Sequence, residues 1–106
     1  MVEDKAKADD DTYIVLSKYT SAGRQYARPE HARRRWEVIE HSLRNTLKGT
    51  ILSHHVTMGG YDSVVIFTIP PGQDFHLFQC LVALQQPGDV EITILRGWDF
   101  DKFAPR

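Results

Sequence analysis

The sequence predicts an α+β fold in which four strands and two helices follow one another in the order β-α-β-β-α-β. Two segments repeat apolar residues every three or four positions, which is typical of an amphipathic helix. Four other segments are rich in β-branched and aromatic residues, which favour strands. The glycines Gly59 and Gly60 separate two of these strands and indicate a hairpin. A chain of 106 residues is long enough for one such domain.

The first strand and the first helix occupy the N-terminal half of the domain. Residues 12–19, TYIVLSKY, form the predicted strand. Pro29 suits the first turn of the helix, because the N–H that proline lacks has no helical partner there. Lys48 and Gly49 are expected to end the helix as a cation and a flexible cap residue. The helix carries an apolar stripe made of Ala32, Trp36, Ile39, Leu43 and Leu47.

The remaining strands and the second helix follow in the C-terminal half. Residues 50–58 and 61–69 are expected to pair across the glycine turn, and Pro70 stops the second of them. Asp74 is the expected N-cap of the second helix. Residues 90–98 form the predicted fourth strand. The second helix has its own apolar residues at helical spacing: Phe75, Phe78, Leu81, Val82 and Leu84.

This order of elements is the split β-α-β, ferredoxin-like arrangement. Right-handed crossovers place both helices on one face of a four-stranded antiparallel sheet with the strand order 4-1-3-2. The third strand is apolar on both faces, since Val64 and Ile66 oppose Val65, Phe67 and Ile69. A sheet covered on one face only is expected to alternate apolar and polar residues. We therefore expect a second copy to cover the bare face in a sheet-to-sheet homodimer or a higher homo-oligomer; the alternative is a central strand in a snug monomer.

Composition and charge narrow the class of protein. The formal net charge of −1 argues against a general nucleic-acid binder. The single cysteine, Cys80, cannot form an intrachain disulfide, and no apolar run approaches the roughly 20 residues of a membrane span. The charged N-terminus lacks the apolar core of a secretory signal. The sequence thus predicts a cytoplasmic protein with no membrane segment, a mobile charged tail at 1–11 and a folded domain at 12–106.

The segment TMGGYDSVVI, which contains Gly60, Tyr61 and Asp62, resembles the signature of the GYD-domain family. The stretches TYIVLSKYTSAG and ITILRGWDF also resemble that family, so the similarity spans about residues 12–104. The resemblance implies a ferredoxin-like subunit of the dimeric α/β-barrel superfamily. It implies no activity, because the family is of unassigned function. Relatives in the superfamily include cofactor-independent monooxygenases, haem-binding enzymes, isomerases and decarboxylases.

Three functions follow as hypotheses. The first is a homodimeric protein that binds a small apolar or aromatic ligand in an enclosed pocket between helices and sheet. The second, drawn from the resemblance, is a cofactor-independent enzyme with a histidine as proton carrier. The third is an interaction module whose C-terminal aromatic residues, Trp98, Phe100 and Phe103, dock on a partner. The same aromatic stretch has two alternative roles, exchange across the homodimer or a clamp on its own sheet.

The candidate site residues are assigned to the two ends of the sheet. One end is expected to gather the residues around the hairpin and the end of the fourth strand: Thr57, Met58, Tyr61, Asp62, Arg96 and Trp98. Lys18, Tyr19 and Ile51 are expected at the opposite end. The candidate ligand-binding residues are Ser17, Tyr19, Thr57 and Asp62.

Asp62 has two interpretations. As a functional residue it is an acid, a base or a hydrogen-bond anchor beside a cleft. As a structural residue, the favoured role, it accepts N–H groups of the Gly59 and Gly60 turn and holds the hairpin. A pairing of Asp62 with Arg96 is a further expectation, either as an ion pair that stabilises the dimer or as a clamp on a substrate.

His54 and His55 are the most chemically suggestive residues. Neighbours on a strand point to opposite faces, so the two imidazoles do not form a chelating pair. An imidazole with a pKa of about 6.5 suits proton transfer. His55, on the more polar face, is the candidate proton carrier, with Tyr61 and Arg96 as the other candidate catalytic residues. The competing interpretation is a structural histidine in a core or interface.

No metal or cofactor is expected. The sequence has no HxH, HExxH or CxxC motif, and only a lone histidine as a haem ligand stays open. The basic run Arg33-Arg34-Arg35 is interpreted as a solvated helix surface. Glu30 with Arg34 and Arg33 with Glu37 stand four residues apart, the spacing of ion pairs along a helix.

Overall fold

The computed structural model describes residues 9–106 and contains the predicted elements in the predicted order. The prediction of a mobile tail falls mostly on residues 1–8, which lie outside the described residues. Two short turns interrupt the connections, a 3₁₀ turn at Arg24–Tyr26 and a π turn at Ser42–Thr46. The strands and α-helices are β1 (Asp11–Tyr19), α1 (Pro29–His41), β2 (Thr50–Val56), β3 (Ser63–Ile69), α2 (Asp74–Gln85), β4 (Val90–Gly97) and α3 (Phe100–Phe103).

The four strands form one antiparallel sheet in the order β2-β3-β1-β4, which confirms the predicted order read from the other edge. β1 lies between β3 and β4, so Val15 is flanked by Val65 and Ile94. These side chains face the helices, while Ile14 and Leu16 point away from them. The two surfaces are called here the inner face, toward the helices, and the outer face.

The hydrophobic core lies between the inner face and the helices. Phe67, Ile69 and Leu47 are almost completely shielded from solvent. The ring of Tyr13 stacks on Phe67 with ring centroids 6.0 Å apart. Because β1 and β3 are the two central strands, their inward residues supply most of the sheet's share of this core.

The side of α2 that packs on the core is not the side that carries its two phenylalanines. Leu77 is buried, whereas Phe75 and Phe78 are exposed. The helix is apolar on nearly every side, so its periodicity does not select the buried one. The expected N-cap was also off by one position, because Asp74 is the first helical residue and Gln73 occupies the cap.

The end of α1 differs from the prediction in its backbone geometry. α-Helical bonding stops at His41 and passes into the π turn, which keeps the later apolar residues turned inward. Lys48, not Gly49, takes the left-handed conformation, with φ of 58°. Gly49 is required for space instead, since a Cβ there would lie 2.7 Å from the carbonyl oxygen of Thr68.

An irregularity in β2 changes which of its side chains face the helices. Ile51 lies opposite Phe67, and the pairing register then shifts at the extra residue Leu52. After the shift, His54 lies opposite Val65. Ile51 and His54, three residues apart, therefore both belong to the inner face, which simple alternation does not allow.

The predicted gathering of Arg96 with Asp62 is wrong. β3 and β4 both pair antiparallel with β1, so they run parallel to each other and their opposite ends are far apart. Asp62 lies beside the end of β1, where its N–H donates to the Ser17 carbonyl over 2.8 Å. Arg96 lies opposite Tyr13, at the other end of the sheet. Tyr19, expected far from Asp62, is its neighbour.

The C-terminal aromatic stretch does not clamp its own sheet. Trp98, Phe100 and Phe103 are all largely exposed. The guanidinium of Arg96 lies over the Trp98 ring, 4.6 Å from its centroid, and the rings of Phe100 and Phe103 are 6.2 Å apart. Docking on a partner and exchange across a homodimer stay predictions for this segment.

Candidate functional site

A cavity of about 910 Å³ separates α1 and α2 from the inner face of the sheet. The expected pocket was enclosed, but this one has a rim of exposed residues, such as Val38 and Val56. Its walls are mainly apolar, and each layer contributes to them. They include Trp36 and Ile39 from α1, Leu77 and Leu81 from α2, and Val65 and Phe67 from the sheet.

A polar cluster closes one end of the cavity. The carboxylate of Asp62 accepts the Tyr19 backbone N–H over 2.8 Å and lies 3.7 Å from a guanidinium nitrogen of Arg24. The hydroxyls of Ser17 and Ser63, on neighbouring strands, hydrogen-bond to each other. Carboxylate, guanidinium and hydroxyl groups thus meet where β1 ends and β3 begins. Such a set can orient the polar part of a molecule whose apolar part fills the cavity.

All four candidate ligand-binding residues line this one cavity: Ser17, Tyr19, Thr57 and Asp62. Their role toward a ligand stays a prediction. The structural role expected for Asp62 takes a different form, since its side chain holds the end of β1 rather than the glycine turn. The hairpin is held by Thr57, whose N–H and hydroxyl donate to the carbonyls of Asp62 and Tyr61 at 3.0 and 2.8 Å.

The three candidate catalytic residues do not come together. His55 lies opposite Val64, on the outer face. Tyr61 belongs to the β2–β3 turn and is exposed. Arg96 lies at the far end of β4, where its guanidinium binds Asp11 at 2.7 Å. None of the three lines the cavity, so they do not form a joint site within one chain.

His54, and not the predicted proton carrier His55, faces the cavity. Its imidazole lies against the indole of Trp36, with ring centroids 3.9 Å apart, and both residues line the cavity. Partial desolvation lowers the pKa of His54, and the positive charge of Arg33 lowers it further, against a smaller opposing effect of Glu40. The ring is therefore held in its neutral form at neutral pH, when one of its nitrogens can accept a proton. The register shift in β2 was the signal that alternation alone could not supply.

The charged residues that line the cavity are mostly cationic. Among residues 9–106, Asp62 is the single acidic residue that lines it, and the basic ones are Lys18, Arg24, Arg28, Arg33 and Arg35. The expected ion pairs along α1 do not form among Glu30, Arg33, Arg34 and Glu37. The i,i+4 pair that does form joins Glu40 to Arg44 at 3.4 Å.

Arg35 and Asp89 fasten α1 to the turn before β4. One guanidinium nitrogen of Arg35 lies 2.6 Å from the Asp89 carboxylate, and the other donates to the Leu84 carbonyl over 2.9 Å. The backbone of the same turn is held by Thr20, whose N–H donates to the Asp89 carbonyl over 3.0 Å. Gly23 packs so close that a Cβ would lie 1.9 Å from this carbonyl oxygen. These contacts hold one edge of the cavity.

The family model of the GYD domain matches residues 13–105. The chain belongs to the GYD domain family. This confirms the resemblance of the motif at Gly60, Tyr61 and Asp62, and the match covers both long helices, three whole strands and all but the first two residues of β1. Among curated proteins, none matches this GYD protein.

The GYD domain shares its fold with a solved structure of another protein. The crystal structure of the 30S ribosomal protein S6 from Thermotoga maritima is similar with a TM-score of 0.60. The similarity covers 89% of this chain and 94% of that chain, at 16% sequence identity. At so low an identity the likeness shows the ferredoxin-like fold alone.

None of the helices in residues 9–106 is both long and apolar enough to cross a bilayer. Within the same range, no three His, Cys, Asp or Glu side chains are grouped so that they could hold a metal ion. Cys80, the single cysteine of the chain, is half-buried and lines the cavity.

Proposed function

We propose that this GYD protein binds a small apolar or aromatic molecule in the cavity between its helices and the inner face. The observation that supports the proposal is the cavity itself. Its volume of about 910 Å³ lies within the range of roughly 300–1,000 Å³ that is common for small-molecule sites. Apolar walls with a polar cluster at one end are the arrangement such sites use to bind and to orient a ligand.

The apolar walls would supply most of the affinity. Interior packing of folded proteins leaves few voids larger than a water molecule, so an open apolar volume of this size leaves its lining side chains without partners. A guest that removes about 100 Å² of apolar surface from water gains roughly 2.5 kcal/mol. The indole of Trp36 offers a flat surface for an aromatic ring.

Trp36 also provides the test. The chain has two tryptophans, and Trp98 is exposed at the other end of the sheet, so Trp98→Phe leaves Trp36 as a reporter in the cavity. We expect N-phenyl-1-naphthylamine, a neutral apolar probe, to quench Trp36 saturably and to shield Cys80 from a thiol reagent. Val15→Phe, which fills the cavity, should weaken both effects. Val82→Phe, outside the cavity, should leave them unchanged. Absence of saturable binding to the parent protein would refute the proposal.

The second part of the proposal is that the protein is a homodimer joined through the outer faces of its sheets. Ile14, Leu16, Val64 and Ile66 form an apolar centre there and are only half-buried. Four strands about 4.8 Å apart and about eight residues long present roughly 500 Å² before side chains are counted. That approaches the ~800 Å² per subunit of a standard interface.

A cofactor-independent enzyme is the second candidate function, and His54 is the observation that favours it. A neutral imidazole against the cavity wall can take a proton from a bound molecule. The role of proton carrier then passes from His55 to His54. Native mass spectrometry of freshly purified protein would identify a molecule carried along, and its conversion would be followed by NMR. His54→Gln should stop the conversion and His55→Gln should not; equal turnover in both variants would remove histidine from the reaction.

The single cysteine suits a reducing compartment, and on that ground the cytoplasm is the proposed location. Fusion to a fluorescent protein and microscopy of the source cells would check it. A signal confined to the cell envelope would contradict it.

A further inference from the structure

We infer that the bound molecule is an organic anion, a carboxylate on an aromatic or alkyl body, attracted to Arg28 and Arg33 at the rim of the cavity. This inference rests on the proposed function, since it names the chemical class of the ligand for the same cavity. The cationic lining of the cavity is the observation that supports it. The arginines would bind the charged head of the ligand, and the apolar walls would bind its body.

The cationic side chains of the cavity divide into those with a carboxylate partner and those without. Arg35 binds Asp89 at 2.6 Å, Arg24 lies 3.7 Å from Asp62, and Lys18 lies 3.8 Å from Glu91. The two that are left are Arg28, the N-cap residue of α1, and Arg33, in the second turn of that helix.

Neither Arg28 nor Arg33 makes an ion pair within the part of the chain that the structure describes. Glu30 and Glu37 stand on the same helix as Arg33, yet neither is within ion-pair distance of it. Both arginines line the cavity. Two guanidinium groups at the edge of an apolar space thus keep their hydrogen-bond donors available for a ligand.

The imidazole of His54 adds to the preference for an anion. His54 also lines the cavity, and burial together with the charge of Arg33 lowers the pKa of its imidazole, so a neutral ring accompanies the two arginines in the lining. A neutral imidazole has an N–H that can donate to a carboxylate oxygen, as guanidinium groups can. An ammonium head at the same place would be repelled by the arginine and would find Asp62 already bound to Tyr19 and near Arg24.

The test compares three ligands that share one body and differ only in the head: 4-phenylbutyrate, 4-phenylbutanol and 4-phenylbutylamine. Each competes with N-phenyl-1-naphthylamine for the Trp98→Phe protein. We expect the acid to bind about tenfold more tightly than the alcohol, as a charge-assisted hydrogen bond provides, and the amine to bind most weakly. The preference for the acid should shrink as sodium chloride is raised, because salt screens the exposed arginines.

The variants assign the preference to its residues. Arg28→Gln and Arg33→Gln should each reduce the affinity for the acid severalfold, and the double variant should bind acid and alcohol alike. Binding of the alcohol should stay unchanged in all three, which shows that the cavity is intact. Arg34→Gln is the matched control, since Arg34 lies on the same helix but does not line the cavity.

The experiment distinguishes failure of the anion inference from failure of the proposed ligand binding. If acid and alcohol compete equally well, the cavity binds ligands but the anion inference is wrong. If the acid is preferred in the parent and still preferred in the double variant, the assignment to Arg28 and Arg33 is wrong. If neither the probe nor any of the three compounds binds, the proposed function and this inference both fall.

Discussion

The imidazole of His54 lies against the indole of Trp36, with ring centroids 3.9 Å apart and planes inclined by 35°. The contact joins the edge strand β2 to α1 across the cavity. It places a titratable ring where desolvation and the charge of Arg33 lower its pKa. The pH at which this ring gains a proton is thereby linked to the stability of the domain.

The stability of the protein should fall as the pH falls from 7.5 toward 5. The pKa of His54 in the folded state lies below the value of about 6.5 in the unfolded chain. Between these two values the unfolded chain binds more protons, so the free energy of unfolding rises with pH and levels off above the unfolded pKa. Urea denaturation at several pH values measures the slope. His54→Gln should remove part of it, and His55→Gln should keep it. If the free energy of unfolding of His54→Gln depended on pH as steeply as that of the parent protein, this role of the ring would be contradicted.

Gly23→Ala should destabilise the protein by about 2–3 kcal/mol, because the new methyl group meets the Asp89 carbonyl oxygen at 1.9 Å and the backbone must move. Gly60→Ala is the matched control, since nothing lies within 4 Å of its added Cβ. It should change the free energy of unfolding by less than about 0.5 kcal/mol. Both values come from urea titrations. An equal effect of the two substitutions would show that the close approach at Gly23 is not what limits this turn.

Arg35→Gln should cost about 2–3 kcal/mol, because it leaves the Asp89 carboxylate shielded and without its partner. The two side chains of this pair keep only 21% and 12% of their surface exposed. The Lys18–Glu91 pair keeps 47% and 64%, so Lys18→Gln should cost less than about 0.5 kcal/mol. Thermal denaturation of both variants makes the comparison. Loss of probe binding to the cavity should accompany Arg35→Gln only, since this pair fastens α1 over the cavity.

Leu95→Glu should convert the proposed homodimer to a monomer, because it places a charge on the outer face of the sheet. Leu95 is 45% exposed in the single chain, so the substitution leaves the fold intact. Val82→Glu is matched in exposure, at 47%, but lies on α2, away from the outer face, and should leave the dimer unchanged. Sedimentation velocity at micromolar concentration distinguishes the two. A parent protein that sediments as a monomer would overturn the proposed homodimer.

Lys48→Gly should stabilise the protein by roughly 0.5–1 kcal/mol. Lys48 has φ of 58°, a conformation that costs a residue with a Cβ about 1 kcal/mol or more, whereas glycine adopts it freely. Lys48→Ala removes the same side chain but keeps the Cβ, so it should not bring this gain. Stabilisation by both substitutions to the same extent would attribute the effect to the lysine side chain rather than to the backbone.

Local patterns predicted much of the inner architecture. Alternation along β3 assigned Val65, Phe67 and Ile69 to one face and Val64 and Ile66 to the other, and the first three are the buried ones. Alternation failed in β2, where the shift at Leu52 turned His54 rather than His55 toward the helices. The residue types at this position carry no distinctive bulge signal, so the pairing partner decides where the shift falls.

The second wrong prediction concerned the direction of β4 relative to β3, and therefore the end of the sheet at which Arg96 lies. The predicted strand order already requires β3 and β4 to run parallel, yet Arg96 was assigned to the Asp62 end. The real partners of both residues are distant in the chain: Asp62 holds Tyr19 and Arg96 binds Asp11. Hydrogen bonds between residues so far apart depend on where strands end, and sequence spacing does not report it.

The sequence by itself determined the element order, the strand order, the two apolar faces and the family, because each depends on periodicity or on motifs that are read along the chain. Only the tertiary structure decided that α1 and α2 stand away from the sheet and leave a cavity, and that Arg28 and Arg33 line it with no ion-pair partner among residues 9–106. The physical reason is that a cavity and its charge balance arise from distances between elements. Those distances are set by packing of residues such as Leu77 and by the link between Arg35 and Asp89, which join segments with no regular spacing in the sequence.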